Sequence, residues 1–211
     1  MIAVGIWLVS VGLADLVAGL SGEPKPGPRT VGAFLAGVAS ALGLSVLGGA
    51  TVGTVVVVSA AAGATVGGWL LLRREPSETS ALRALAALAF LLAAFVAVAV
   101  IGTEPIATFA SDSPLERGVG RLPFSLIAGA PIERALFVAG VLVFLFATSN
   151  AIVRLVLTAM GTRFSNAEQR LRGGRVIGPL ERVLIFGLGL AGQATAAALV
   201  IGAKGLLRYP E

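Results

Sequence analysis

Few side chains in this 211-residue chain could do chemistry, and Asp15 is the most informative of them. It is the one carboxylate well inside an apolar stretch, residues 2–20. A charge at the centre of a membrane-spanning helix costs about 3 kcal/mol on insertion scales, so Asp15 should pair or face a wet cavity. Arg154, near the same end of a later stretch, could form a buried ion pair with it. The alternatives are a proton or cation relay through Asp15, or contact of Asp15 with lipid headgroups.

The residue types that most enzymes rely on are missing. The chain has no cysteine and no histidine, which excludes disulfides, thiolate nucleophiles, Ser-His triads, HExxH zinc sites and histidine-ligated haem. Acid–base or metal chemistry would depend on eleven carboxylates, of which Asp112 and Glu116 form a close pair in a loop. We therefore predict no catalytic residue, no metal and no cofactor.

The remaining polar groups in apolar stretches are amides, and the arginines cluster outside them. Asn150 and Gln193 each interrupt an apolar run, and amides in lipid usually hydrogen-bond across helices for about 0.6 kcal/mol. The densest basic cluster is predicted to set topology and contact anionic headgroups, or else to bind a phosphate-like ligand at a helix N-terminus. Without interleaved aromatic residues, the charge does not indicate nucleic-acid binding. The cluster comprises Arg163, Arg170, Arg172, Arg175 and Arg182.

Composition decides the fold class. The chain is 56% hydrophobic and 13% charged, with a mean hydropathy of +0.94, whereas soluble domains carry about 25% charged residues. A soluble protein of this size could not hide so much apolar surface. We predict an all-α, multi-pass integral membrane protein of one domain, with helices packed through glycine and alanine.

Six spans are predicted from the apolar runs, each of about the twenty residues that cross a bilayer. The run from 31 to 72 is long enough for two spans, which should separate near Gly48-Gly49. Small residues at helical spacing, such as Gly63 and Gly67, predict close packing within the chain or an oligomer face. Residues 104–134 are predicted to be an interfacial or re-entrant segment. The spans cover residues 2–20, 31–47, 51–72, 84–102, 135–159 and 180–203.

The basic residues orient these spans. With the loops at 21–30, 73–83 and 154–182 in the cytoplasm, that side holds eleven lysines and arginines and the other side five. The positive-inside rule then places both termini outside a cytoplasmic membrane.

The C-terminal fifth, residues 173–211, resembles an uncharacterised bacterial multi-pass membrane family, a domain of unknown function. That family reads G-x-I-G-x-L-E-R, G-Q and A-K-S-x-x-R-F/Y, although this chain has Gly205 in place of the serine. The resemblance implies a bacterial inner-membrane protein and supplies no mechanism. It directs attention to the residues that match the family pattern, which are Gly178, Glu181, Arg182, Gln193, Lys204 and Arg208. Glu104 is a possible partner for Lys204 and Arg208.

Three functions fit the sequence. The most favoured is a non-catalytic membrane subunit or scaffold that assembles with itself or with another membrane protein. The second is a small transporter or channel that uses Asp15 and Arg154. The third is a lipid-handling enzyme, which would need clustered carboxylates near an interface.

Overall fold

A computed structural model describes residues 1–20, 28–73, 81–101, 109–121, 130–160 and 174–207. Within these ranges every regular element is an α-helix, and the all-α fold class is confirmed. Some of the predicted site lies outside the described residues: Glu104, Arg163, Arg170, Arg172, Arg208 and the side chain of Arg175.

Eight helices follow one another along the described chain, and five of them are long and apolar enough to cross a membrane. These five are α1, α2, α3, α4 and α6, and they correspond in order to the first five predicted spans. The bounds are α1 Ile2–Leu20, α2 Pro28–Leu47, α3 Val52–Leu72, α4 Ala81–Ile101, α5 Pro114–Gly120, α6 Ile132–Ala159, α7 Gly174–Leu190 and α8 Ala194–Leu207.

α1 lies at the centre of the bundle, between α2, α3, α4 and α6. It runs parallel to α6, because Gly5 lies against Leu136 and Gly12 against Val143. A Cβ atom on Gly140 of α6 would lie 2.8 Å from the Gly5 carbonyl oxygen. The two helix backbones therefore touch. Small residues such as glycine permit this close approach, and close packing holds membrane helices together because no hydrophobic effect drives them together in lipid.

The predicted break between the second and third spans is confirmed. Gly49 has φ +68°, and the amides of Gly49 and Ala50 donate back to the carbonyls of Val46 and Ser45. This is a Schellman ending, in which glycine adopts the left-handed conformation that other residues avoid. Thr51 then caps α3 by accepting a hydrogen bond from the Thr54 amide.

The predicted small-residue contacts of α3 lie within the chain. Positions for a Cβ atom on Gly63 and Gly67 each lie 3.4 Å from a side chain of α2. Ser40 of α2 donates to the Ser10 hydroxyl of α1 at 3.3 Å. These contacts support intramolecular packing for this row of small residues.

Part of the predicted interfacial segment covers the turn between α2 and α3. Phe109 packs on Gly48, and the Ala110 amide donates to the Gly48 carbonyl oxygen at 3.0 Å. α5 follows with Ser113 as its N-cap. Most of the stretch between α5 and α6, residues 122–129, lies outside the described residues.

The sixth predicted span is wrong: residues 180–203 form two helices folded into a hairpin. α7 ends at Leu190, Gly192 takes φ +73°, and the Gln193 amide donates to the Leu188 carbonyl oxygen at 2.8 Å. α8 then returns, so that Lys204 contacts Glu181. Along one straight helix these two residues would lie about 35 Å apart.

The hairpin also changes the place of α8. α6 is parallel to α1, and α8 folds back along α7, so that Lys204 lies beside Glu181. These two residues belong to opposite ends of the predicted sixth span, and the structure brings them together. The placement of both termini outside a cytoplasmic membrane stays a prediction.

Candidate functional site

The polar side chains of the membrane region form two clusters on either side of α6. The inner cluster consists of Asp15, Trp69, Arg73 and Thr148. The hairpin cluster consists of Ser149, Asn150, Glu181, Arg182 and Lys204. α6 separates them, because Thr148 faces α1 while Ser149 and Asn150 face α7.

Asp15 is the centre of the inner cluster. Its side chain is 1% exposed, and the indole N–H of Trp69 donates to Oδ1 at 3.0 Å and to Oδ2 at 3.1 Å. The Arg73 guanidinium lies 2.9 Å from Oδ1. Thr148 faces the same carboxylate, although its buried hydroxyl makes no hydrogen bond of acceptable geometry. The carboxylate is thus neutralised and hydrogen-bonded inside the bundle, as a membrane-embedded charge requires.

Arg154 is not the partner of Asp15, and this prediction is corrected. Arg154 lies on an exposed part of α6, six residues after Thr148 and so about 120° around the helix from it. The α6 face turned to α1 carries Ile152 and Leu155 instead. The two charges share an end of the bundle but not a face.

The correct partner could have been found from the spacing of residues in α3. Trp69 and Arg73 are four apart and therefore share one face, and the Arg73 guanidinium lies 5.7 Å from the centroid of the Trp69 ring. An arginine at the end of a span, one turn after a tryptophan, can place its charge beside the indole N–H. The spacing of Trp69 and Arg73 therefore indicates the partner of Asp15, although an arginine at the end of a span is also typical of a residue that sets topology.

The hairpin cluster fixes α7 to α6. Arg182 donates to the Ser149 hydroxyl at 2.6 Å and to the Asn150 side-chain oxygen at 3.0 Å. Gly178 lies one turn earlier, where a Cβ atom would be 3.8 Å from the same Asn150 oxygen. Two predicted residues from different stretches, Asn150 and Arg182, are therefore brought together.

Glu181 holds the two arms of the hairpin together through Lys204. Glu181 and Arg182 thus have separate partners, as their 100° separation on a helix requires. Gln193 lies in the turn between the arms and is exposed, rather than mid-span in a packed helix. Its backbone closes the end of α7, which is the contribution the described structure shows for this residue.

The carboxylate pair near α5 has a local structural role. The Glu116 carboxylate accepts a hydrogen bond from the Asp112 amide at 3.0 Å, while the Glu116 amide donates to Ser113. Asp112 lies 3.9 Å from the Arg117 guanidinium, and both side chains are exposed. These contacts resemble a capping box at the start of a short helix.

Comparison with known proteins finds no relative of this chain. The chain matches no family model, and no curated protein or solved structure is significantly similar to it. The resemblance of residues 173–211 to the uncharacterised membrane family stays a prediction.

Proposed function

We propose that this chain is a non-catalytic subunit of a membrane complex, and that it assembles through the α7–α8 hairpin with a second copy or with another membrane protein. The observation that carries the proposal is the exposed turn of the hairpin. Residues 191–195 are exposed along the described chain, although they interrupt an apolar run that would otherwise lie in lipid.

The depth of this turn makes its exposure costly. From Glu181 to Leu190 α7 rises about 13 Å, and Arg182 joins α6 at the level where Thr148 faces Asp15. With α7 running inward from that level, the turn would lie near the middle of a hydrocarbon core of about 30 Å. Non-helical backbone is tolerated there only when protein or a water-filled cavity covers it.

The start of α8 also has backbone amides that must be shielded from lipid. The first amides of any α-helix have no carbonyl partner within the helix, and in α8 the first backbone bond of this type runs from Ala197 to Gln193. Another protein surface could supply acceptors or exclude lipid from these amides. A membrane subunit that is complete only within an assembly has these properties.

The free face of α8 suits contact with another helix. Ala194, Ala198 and Gly202 are four apart and lie on one face, and nothing lies within 4 Å of a Cβ position on Gly202. Lys204, which contacts α7, is about 200° away around the helix from Gly202. Rows of small residues let membrane helices approach closely, and the described chain leaves this row uncovered.

Cross-linking can test the assembly because the natural chain has no cysteine. We would place cysteine at Ala198 on the free face of α8, with Leu92→Cys as the matched control on α4, where Leu92 is 64% exposed. In native membranes Ala198→Cys should form a disulfide dimer or, with a bifunctional reagent, an adduct with a second polypeptide. Leu92→Cys should form neither.

The intact mass in native-lipid nanodiscs provides the decisive comparison. A homo-oligomer or a stoichiometric second polypeptide would support the proposal and identify the mode of assembly. A monomeric mass together with equal, low cross-linking at both positions would refute it.

A small transporter is the second candidate, and one combination of features favours it. Transporters place broken helices and buried charges near the bilayer midplane, and this chain has a folded hairpin and the buried Asp15. Liposome flux distinguishes this candidate: Asp15→Asn should abolish substrate-dependent uptake if the chain transports, and uptake unchanged by that variant would exclude a role for Asp15.

A further inference from the structure

The Arg73 guanidinium occupies a site built to hold a cation. The Asp15 carboxylate lies 2.9 Å from it, and the centroid of the Trp69 ring lies 5.7 Å away. A carboxylate beside an aromatic face is the combination that recognises ammonium and guanidinium groups. The indole N–H of Trp69 is already engaged with Asp15, so the ring has a fixed position.

The site has a third polar group in addition to its present occupant. Thr148 is 0% exposed and lies within reach of the Asp15 carboxylate, but its hydroxyl makes no hydrogen bond of good geometry. Buried hydroxyls are normally satisfied, and an exception requires an explanation. A hydroxyl that can accept an N–H bond next to a carboxylate would complete the site for a ligand with several N–H donors.

Arg73 is placed so that its guanidinium can leave without disrupting a helix. It is the C-cap of α3, and its side chain is 19% exposed while that of Asp15 is 1% exposed. The guanidinium therefore reaches the carboxylate from the end of the bundle, on a flexible side chain. Whenever it withdraws, the buried carboxylate needs another positive group.

We propose that Asp15, Trp69 and Thr148 form a binding site for an organic cation with N–H donors, a guanidinium or a primary ammonium, for which Arg73 is the resident competitor. Alkali cations suit the site poorly, because hard cations take six or more oxygen ligands, whereas these three residues offer a carboxylate, a hydroxyl and a ring face. The proposal does not depend on assembly through the hairpin.

The test uses the fluorescence of Trp69. The chain has two tryptophans, so Trp7→Phe leaves Trp69 as the single reporter and serves as the parent protein. Methylguanidinium and methylammonium are titrated into the purified full-length parent in nanodiscs and into its Arg73→Gln variant. Sodium chloride at equal ionic strength is the salt control, and Arg154→Gln is the matched arginine control.

We expect a saturable change in Trp69 emission with the organic cations and none with sodium. Arg73→Gln should bind at least about tenfold more tightly than the parent, because a resident occupant lowers apparent affinity by the fraction of sites that are open. Arg154→Gln should match the parent, and Asp15→Asn combined with Arg73→Gln should abolish the response.

Three results would overturn the proposal: no saturable response in a folded Arg73→Gln variant, an equal response to sodium, or a response that survives Asp15→Asn. Folding is monitored by circular dichroism and by elution as a single species. If Arg73→Gln does not fold, Arg73→Lys replaces it. The lysine variant keeps a positive charge without the planar fork, so methylguanidinium should displace it at lower concentration than it displaces Arg73, and no difference from the parent would also overturn the proposal.

Discussion

Gly140→Ala tests the contact on which the bundle depends, the backbone approach of α6 to α1. A Cβ atom at this position would lie 2.8 Å from the Gly5 carbonyl oxygen and 2.9 Å from the Leu8 Cβ atom. Neither is the far end of a flexible side chain, so the new methyl group must push the helices apart. Overpacking of this kind costs about 1–3 kcal/mol.

Two effects of opposite sign determine the net change. Alanine gains about 0.5–1 kcal/mol over glycine in a helix interior through its lower conformational entropy cost. We therefore expect Gly140→Ala to lower the free energy of unfolding by up to about 2.5 kcal/mol after this offset, and by about 1–3 kcal/mol relative to an unobstructed glycine-to-alanine change. The matched control is Gly43→Ala in α2, where nothing lies within 4 Å of a Cβ position, and which should be neutral or slightly stabilising.

The assay is reversible unfolding of both variants in mixed micelles, followed by Trp fluorescence. The Trp7 ring is well placed to report on α6, because its centroid lies 6.2 Å from that of Phe144. If Gly140→Ala proved as stable as Gly43→Ala, the two helices could not be in backbone contact. The assignment of α6 as the principal neighbour of α1 would then be rejected.

Three further perturbations probe the hairpin and the inner cluster. Cysteines replacing Glu181 and Lys204 should be joined by a short bifunctional thiol reagent, visible as a mobility shift; a straight helix would hold them about 35 Å apart, beyond the reach of the reagent. Gly192→Ala should reduce the yield of that cross-link and destabilise the protein by about 1–2 kcal/mol, since φ is +73° there and left-handed backbone is unfavourable for alanine; an unchanged yield would contradict the turn. Trp69→Phe should cost about 1.5–3 kcal/mol by removing a hydrogen bond to a charged group. Trp7→Phe should cost less than about 1.5 kcal/mol in the same unfolding measurement, because its buried N–H has no partner, and equal costs would refute the role of Trp69.

The fold class and five of the spans followed from composition and run length. Those properties act locally: about twenty apolar residues in a row are long enough to cross a bilayer as one helix. The break at Gly48-Gly49 was also predictable, because a 42-residue run is too long for one span and needs a place to turn.

The length of the apolar run did not predict the last span correctly, because a run long enough to cross a bilayer need not form one straight helix. Residues 183–203 carry no charge, which suits a spanning helix and a hairpin equally well. The signal for the turn was Gly192 after Gly187 and Gly189, a site where left-handed backbone costs nothing. Glycine is also common inside membrane helices, so this signal had no unique interpretation.

The partners of the polar residues could be predicted only in part. The prediction that Asp15 is buried beside a counter-charge follows from the free energy cost of placing a charged side chain inside a membrane. The choice between Arg73 and Arg154 depends on which face of each helix turns inward, and that is decided by tertiary packing. Asn150 accepts a hydrogen bond from another helix, as amides in lipid usually bond across helices, whereas its partner Arg182 belongs to the basic cluster that the sequence predicts to contact headgroups or a phosphate-like ligand.

The central position of α1 has a consequence for the order of events during synthesis. Among the described helices α1 is synthesised before the others, yet its backbone partner α6 is the last of the long spans. At about 5–20 residues per second, Arg73 follows Asp15 by several seconds and α6 follows by roughly ten seconds. During that interval Asp15 has no counter-charge, and the glycines of α1 face lipid or the insertion machinery. Packing of α6 onto α1 is therefore a late step, which follows the synthesis of the spans between them.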